Sequence, residues 1–270
     1  MMKIDKNKYY RMPFIMGPWG GFEKDKPPQI AYTEVEVLAM QYQTDFDAIR
    51  ALLPDCYQPD KEPTVTVLFC YNNGLFFMAG GGYVMAIVQV AARFDGKQDH
   101  VAGDYVLVIF ENDTRPIIGG REDLGAPKIY ADISQIKTLT NGHLRCEASI
   151  WGHMLFGLDL SPLKKQNAVV RLAASKMVNA RPSLAYKYID TLNGPPDADY
   201  PTTWKMEAKI EQLWMGQSGE VYFGSAGTED IAEYKLIMDA LKTLPVRKIT
   251  QTLRFRGSGV NRYDLYRRLR

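Results

Sequence analysis

Cysteine is scarce in this chain of 270 residues: Cys56, Cys70 and Cys146 are odd in number and form no CxxC pair. A disulfide framework is therefore not expected, and a reducing, cytoplasmic setting is. The opening stretch MMKIDKNKYY has no apolar signal-peptide core, which adds to the cytoplasmic expectation. Histidine is equally rare, and His100, His143 and His153 show neither HxxxH nor Cys/His spacing. No bound metal and no other cofactor is expected. A surplus of one charge is missing too: 33 Lys and Arg against 31 Asp and Glu leave a net charge of +2. That balance argues against nucleic acid or a membrane surface as partner. A local basic patch stands in the tail NRYDLYRRLR, with Arg262, Arg267, Arg268 and Arg270, and reads more simply as a solvated terminus.

Charge is absent altogether from Thr64 to Ala92, a stretch long enough to cross a bilayer. Its interior argues otherwise. Asn72 to Gly74 is a tight-turn signal, Gly80 to Gly82 would weaken a helix, and the runs between are short, β-branched and aromatic. Three strands buried on both faces are expected here. Familiar nucleotide and hydrolase signatures are also missing: GSGVNR is no GxGxxG, FGSAG is no GxSxG, and no GxxxxGK[ST] loop occurs.

With 46% hydrophobic residues, the chain can bury a substantial core. AYTEVEVLAMQY alternates, DYVLVIFE is a short apolar run, and IKTLTNGHLRCEASIW carries Asn141-Gly142 between two strand-like segments. TTWKMEAKIEQLWMG and EVYFGSAG continue the pattern. Helices are expected from Thr44 to Pro54, from Thr228 to Pro245 with acids in its first turn, and more weakly through KKQNAVVRLAASKMV. Many antiparallel strands with few helices give an α+β fold dominated by one large curved antiparallel sheet. Asn193 to Pro201 is turn-rich but short, so residues 1–270 read as a single domain without repeats.

One stretch, GGREDLGAPKIYAD from Gly119 to Asp132, sets Lys128 between a Gly/Pro turn and apolar neighbours. On spacing alone, Lys128 reads more readily as a loop lysine in water than as a chemical tool. If the segment faces inward, burial disfavours the ammonium, and bringing a lysine from ~10.4 towards neutrality takes roughly 4–5 kcal/mol. A neutral amine adds to ketones and forms a Schiff base, which withdraws electrons from the neighbouring bonds.

GREDLGAPK, Gly120 to Lys128, resembles the active-site segment of the acetoacetate decarboxylase-like superfamily, where GRE precedes a Pro-Lys pair whose lysine forms the Schiff base. YQTDFDAIRALLP, the GDY at Gly103, EAKIEQLWMG and LKTLPVRKI are similar to further family segments in order, so the resemblance runs from about Tyr42 to Ile249. It implies a partly closed, cone-like barrel, a homo-oligomer, and Lys128 as nucleophile in a buried apolar cavity. Acetoacetate decarboxylase is itself the standard example of a lysine activated in this way.

The chain departs from the family pattern at three places. Ile129 replaces the second lysine of the decarboxylases, Thr64 to Phe94 contains none of the two expected glutamates, and Glu34, Val35 and Glu36 stand where the family has an arginine. These departures favour a Schiff-base lyase for small 2-oxo acids such as pyruvate, an aldolase-dehydratase or hydratase. Decarboxylation of a 3-oxo acid and a non-catalytic barrel binding an apolar ligand are the alternatives. Tyr83 is the first candidate for proton transfer, ahead of Gln89, Tyr105 and Tyr263. Arg121 is a candidate cationic neighbour of the lysine, and Glu122 its candidate ion-pair partner. Each of these also has a plain structural reading.

Overall fold

The computed structural model describes residues 4–13, 15 and 17–270, so the first three residues of the opening stretch lie outside it. The first strands are β1 (Gln29–Gln43), β2 (Tyr57–Pro59), β3 (Thr64–Asn73), β4 (Tyr83–Asp95) and β5 (His100–Glu111). Next come β6 (Lys128–Tyr130), β7 (Asp132–Ile133), β8 (Lys137–Thr138), β9 (Leu144–Ile150) and β10 (His153–Leu160). The last are β11 (Lys164–Lys165), β12 (Ser183–Ile189), β13 (Ala198–Gly216), β14 (Gly219–Phe223) and β15 (Lys248–Arg268). Helices are α1 (Phe46–Arg50), α2 (Thr114–Gly119), α3 (Ala168–Val178), α4 (Thr228–Ile231) and α5 (Tyr234–Lys242).

The large sheet runs β4-β3-β1-β15-β13-β12-β5, and β5 pairs back onto β4, so hydrogen bonds ring it completely. Most pairings are antiparallel. Two short ones are parallel: β12 with β5 through Ser183 and Leu184, which closes the ring, and β5 with β6 through Ile109 to Glu111. A second sheet, β14-β10-β9-β7 with β8 on β9, packs outside the ring. Alternate residues of a strand face opposite sides. Facing inward, Val35, Val37, Met85, Ile87 and Phe255 enclose a lumen. Facing outward, Phe69, Val88, Val90 and Phe110 meet Phe156 and Leu158 of the second sheet.

This double burial accounts for the chargeless stretch. β3 and β4 have a hydrophobic core on each face, so both faces are apolar. The stretch makes two strands, not the expected three: Phe76–Met78 form a 3-10 turn, with Ala79 and Gly80 at φ 53° and 82°. Among the described residues no helix is long and apolar enough to cross a membrane.

Two further expectations change. The tail is no solvated terminus: it belongs to β15, hydrogen-bonded to β1 and β13, with Arg262 bonded to Asp264 and Glu207, and Arg267 to Asp99. The helix expected from Thr228 breaks into α4 and α5 at Ala232, whose φ is 46°. The weaker helix signal does give α3, capped by Asn167, whose side chain accepts from Val169 N and Val170 N at 3.1 Å.

Phe156 joins the two sheets, its ring centroid 5.5 Å from those of Phe69 and Phe110, with no exposed surface. Phe156→Ala should lower unfolding free energy by about 3–5 kcal/mol in urea titration. A loss under about 1 kcal/mol would mean that this contact does not tie the sheets together.

Candidate active site

Lys128 opens β6, and the turn before it is built in steps. The Asp113 carboxylate caps α2 by accepting from Arg115 N at 2.9 Å. Gly120–Leu124 then form a π-helical turn, and Gly125 at φ 71° reverses the chain. Only glycine suits Gly125, since a Cβ there would also lie 2.3 Å from Lys187 Cβ. Ala126 N donates to Gly120 O at 3.0 Å and Ile109 N to Pro127 O at 3.0 Å, which sets β6 against β5. A Cβ on Gly120 would lie 2.4 Å from Lys128 Cδ and Cε, so this glycine makes room for the lysine stem.

The Lys128 ammonium lies inside the ring. Its Nζ donates to Glu111 Oε1 at 2.7 Å and to Pro116 O at 3.2 Å. The Lys128 side chain is 11% exposed and that of Glu111 is 0%. Burial pushes the Glu111 carboxyl above its ordinary value, and the neighbouring Lys128 partly offsets this. Lys128 Nζ also stands 5.9 Å from the Tyr83 ring centroid. The Tyr83 and Tyr32 hydroxyls are 3.4 Å apart, and burial raises both phenols, Tyr32 to about 12 and Tyr83 well above its usual value. Three buried polar atoms nearby, Asn72 Nδ2, Asn261 Oδ1 and Glu111 Oε2, have no hydrogen-bond partner among the described residues. Asn72, Asn261 and Tyr83 line a cavity of about 180 Å³ that also reaches Lys128.

Lys128 and Tyr83 are thus brought together, with Tyr263 on an adjoining recess and Gln89 farther along the same lumen, whereas Arg121, Glu122 and Tyr105 lie elsewhere. Arg121 lies at the surface and donates to the Lys128 carbonyl at 3.0 Å, so it buttresses the backbone and does not face the amine. Glu122 forms no ion pair with it among the described residues: its carboxylate accepts from Met12 N at 3.2 Å and its carbonyl from Lys187 Nζ. The ion pair that does clamp this turn joins Arg11 to Asp123 at 2.5 Å, with the Arg11 guanidinium stacked 3.5 Å over Trp19. Gln89 faces the lumen six residues beyond Tyr83 on β4, away from the amine. Tyr105 points out of the ring onto Tyr57, 4.9 Å between centroids. Tyr263 borders a small recess of about 20 Å³ shared with Lys128.

Ile129 alternates with Lys128 and packs into the outer core, outside the lumen. Glu111 was missed by sequence reading. Its signal was slight: an acid ending the apolar run DYVLVIFE, one residue beyond a strand position facing the outer core. Among the described residues no group of three or more His, Cys, Asp or Glu is placed to hold a metal ion.

The family model described as acetoacetate decarboxylase matches residues 11–260. The chain belongs to that family. Acetoacetate decarboxylase of Clostridium botulinum is 24% identical over 222 residues, covering 78% of this chain and 77% of its own. Decarboxylase DEC1 of Cochliobolus heterostrophus is 32% identical over 102 residues, so the chain spans 38% of that relative's length. A solved acetoacetate decarboxylase superposes with a TM-score of 0.73 at 19% identity, covering 97% of this chain and 95% of the other. The enduracididine biosynthesis enzyme MppR complexed with pyruvate gives 0.66 at 16% identity, covering 94% and 95%. At these identities the structural likenesses establish the fold: a mixed α+β architecture with a large ringed sheet.

Lys128→Met removes the partner of a fully buried carboxylate. The folded Glu111 pKa, already above the ordinary 4.5, must then rise further because both effects of Lys128 lower it. A carboxyl whose folded pKa exceeds its unfolded one costs stability as pH climbs above about 4.5. Urea titration of Lys128→Met should therefore show a loss of about 3–5 kcal/mol at pH 8, a smaller loss at pH 5, and no such pH dependence once Glu111→Leu is added. Equal losses at both pH values would contradict the pairing.

Proposed function

We propose that this chain is a Schiff-base-forming lyase for oxo acids, with Lys128 as nucleophile. The observation that carries the reading is the buried Lys128 amine bonded to Glu111 at 2.7 Å, beside a cavity in which Tyr83, Asn72 and Asn261 meet apolar side chains such as Val37, Met85 and Phe255. Moving one proton from the ammonium to the carboxylate removes two buried charges and leaves a neutral amine beside a carboxylic acid. The amine adds to the substrate ketone. Glu111 returns the proton to the carbinolamine oxygen, water leaves, and an iminium forms on Lys128. Its positive charge lies near the Tyr83 ring, whose face favours cations.

Decarboxylation of a 3-oxo acid now stands ahead of 2-oxo acid chemistry, reversing the order that sequence favoured. Glu111 supplies a carboxylate that the segment Thr64 to Phe94 lacks. A 2-oxo acid keeps its carboxylate throughout the reaction and needs a cation to hold it. Among the described residues, the cations besides Lys128 that line the inner chamber and the small recess adjoining the lysine are Arg181, Arg11 and Arg115, each already bonded to a carboxylate: Asp104 and Asp60, Asp123, and Asp113. A 3-oxo acid loses its carboxylate, and poor solvation favours that step. The iminium accepts the electron pair as carbon dioxide departs. Glu111, left a carboxylate by the dehydration, takes up one proton from solvent, and the enamine carbon receives that proton from it, directly or through the Tyr83 hydroxyl. Water then releases the ketone and regenerates the amine. The net change is RCOCH2CO2⁻ plus H⁺ to RCOCH3 plus CO2.

The pyruvate bound in MppR supports the second reading, enamine chemistry on a 2-oxo acid. A homo-oligomer in the cytoplasm completes the proposal. Borohydride with acetoacetate should add mass at Lys128 alone, with release of carbon dioxide, and Glu111→Gln should slow that release about 10²–10⁴-fold. Labelling with pyruvate and no carbon dioxide from acetoacetate would favour the second reading. Labelling undiminished in Lys128→Ala would refute both.

A further inference from the structure

Beyond the lysine, the wall of the lumen is ordered in rungs. On β4, every second residue after Tyr83 faces inward, and strand register places partners of β3, β1 and β15 beside each. Val37, Cys70, Met85 and Phe255 make the first rung, and Ala39, Leu68, Ile87 and Leu253 the second. The third changes character: Gln41, Thr66, Gln89 and Gln251. The wall is therefore polar at the lysine end, apolar for two rungs, and polar again where Gln41 Nε2 donates to Thr66 Oγ1 at 3.3 Å. From Tyr83 to Gln89 the strand advances about 20 Å at roughly 3.3 Å per residue.

The space follows the same order. The inner chamber of about 180 Å³ at Lys128 adjoins an outer one of about 640 Å³, and Val37, Leu68, Gln89 and Phe255 line both. α3 covers the outer chamber with Val170, Ala174 and Val178. Pockets for drug-sized ligands take roughly 300–1,000 Å³, so the inner chamber suits a small head group and the outer one a longer body. Because Arg181 is engaged by Asp104, Asp60 and Gly103 O, the third rung offers the end of the body amides and a hydroxyl, with the exposed Lys61 and Glu62 at the rim of the outer chamber.

Resting on the Schiff-base reading, we infer that the substrate is an oxo acid carrying an unbranched apolar tail. The ketone meets Lys128, and the tail runs past the two apolar rungs towards Gln41, Thr66, Gln89 and Gln251. At about 1.3 Å of advance per carbon, a tail of roughly ten carbons spans the two rungs. The polar head falls beside the unpartnered Asn72 Nδ2 and Asn261 Oδ1.

Straight-chain methyl ketones, from propanone to about tetradecan-2-one, test this without requiring decarboxylation, using borohydride trapping at Lys128. The apparent affinity should rise roughly three- to fourfold per methylene through the apolar stretch and level off near ten carbons. Ala39→Phe, in the second rung and lining the outer chamber but not the inner one at Lys128, should abolish the gain for decan-2-one and leave propanone trapping intact, which also shows that the variant folds. If propanone is trapped and decan-2-one no better, the tail site is wrong and the Schiff-base reading stands. Retention of the full gain in Ala39→Phe would place the tail elsewhere and overturn the proposal. If no ketone is trapped, the Schiff-base reading falls, and the proposal with it.

Discussion

The contact between Lys128 and Glu111 is the constraint around which this molecule is arranged. Neither side chain has adequate water, and an isolated buried charge of either sign costs several kcal/mol. The pair is tolerable because each group is the other's counter-ion and Pro116 O accepts a second lysine proton. Strand alternation makes the pairing possible. Phe110 and Ile129 face the outer core, so Glu111 and Lys128, their immediate neighbours, must face the lumen. Parallel register of β6 on β5, with Ile109 against Lys128 and Glu111 two residues on, brings the charges within reach of each other.

The closed ring follows from the same need for a dry interior. A sheet with one open edge at β4 or β5 would admit water beside this pair and weaken every electrostatic contact within it. Pairing of β4 with β5 along their whole length, and of β12 with β5 at the far side, removes that opening. Two cores, one inside the ring and one between the sheets, then explain why β3 and β4 carry no charge for so long. What reads in one dimension as a membrane-spanning length is in three dimensions a wall apolar on both sides.

The placement of Lys128 was legible because the turn that buries it is encoded locally: a reversal, a glycine that clears its stem, and a proline fixing the approach, all within the nine residues of GREDLGAPK. The α+β class and most strands were legible from alternation for the same reason. Glu111 was not, because it lies seventeen positions upstream of Lys128 and meets it through strand pairing alone. Arg121 and Glu122 failed as neighbours of the amine although adjacent in sequence, since a π-helical turn directs them away from the lumen. The C-terminal strand was hidden by its arginines, which resemble a solvated tail until their acidic partners on β13 and at Asp99 are known.

Ile129 shows how the same alternation changes the meaning of a substitution. Read along the chain, an isoleucine beside the nucleophile is a lost cation and an argument against decarboxylation. In this fold position 129 faces the outer core, so a cation there would act on the amine across the sheet and would itself need a partner among apolar side chains. The absence of charge at 129 is thus what the outer core demands, and it leaves the reaction to be decided inside the ring. There, on the proposed mechanism, proton transfer falls to Glu111 and the Tyr83–Tyr32 pair, and the inferred tail would run along the rungs beyond them.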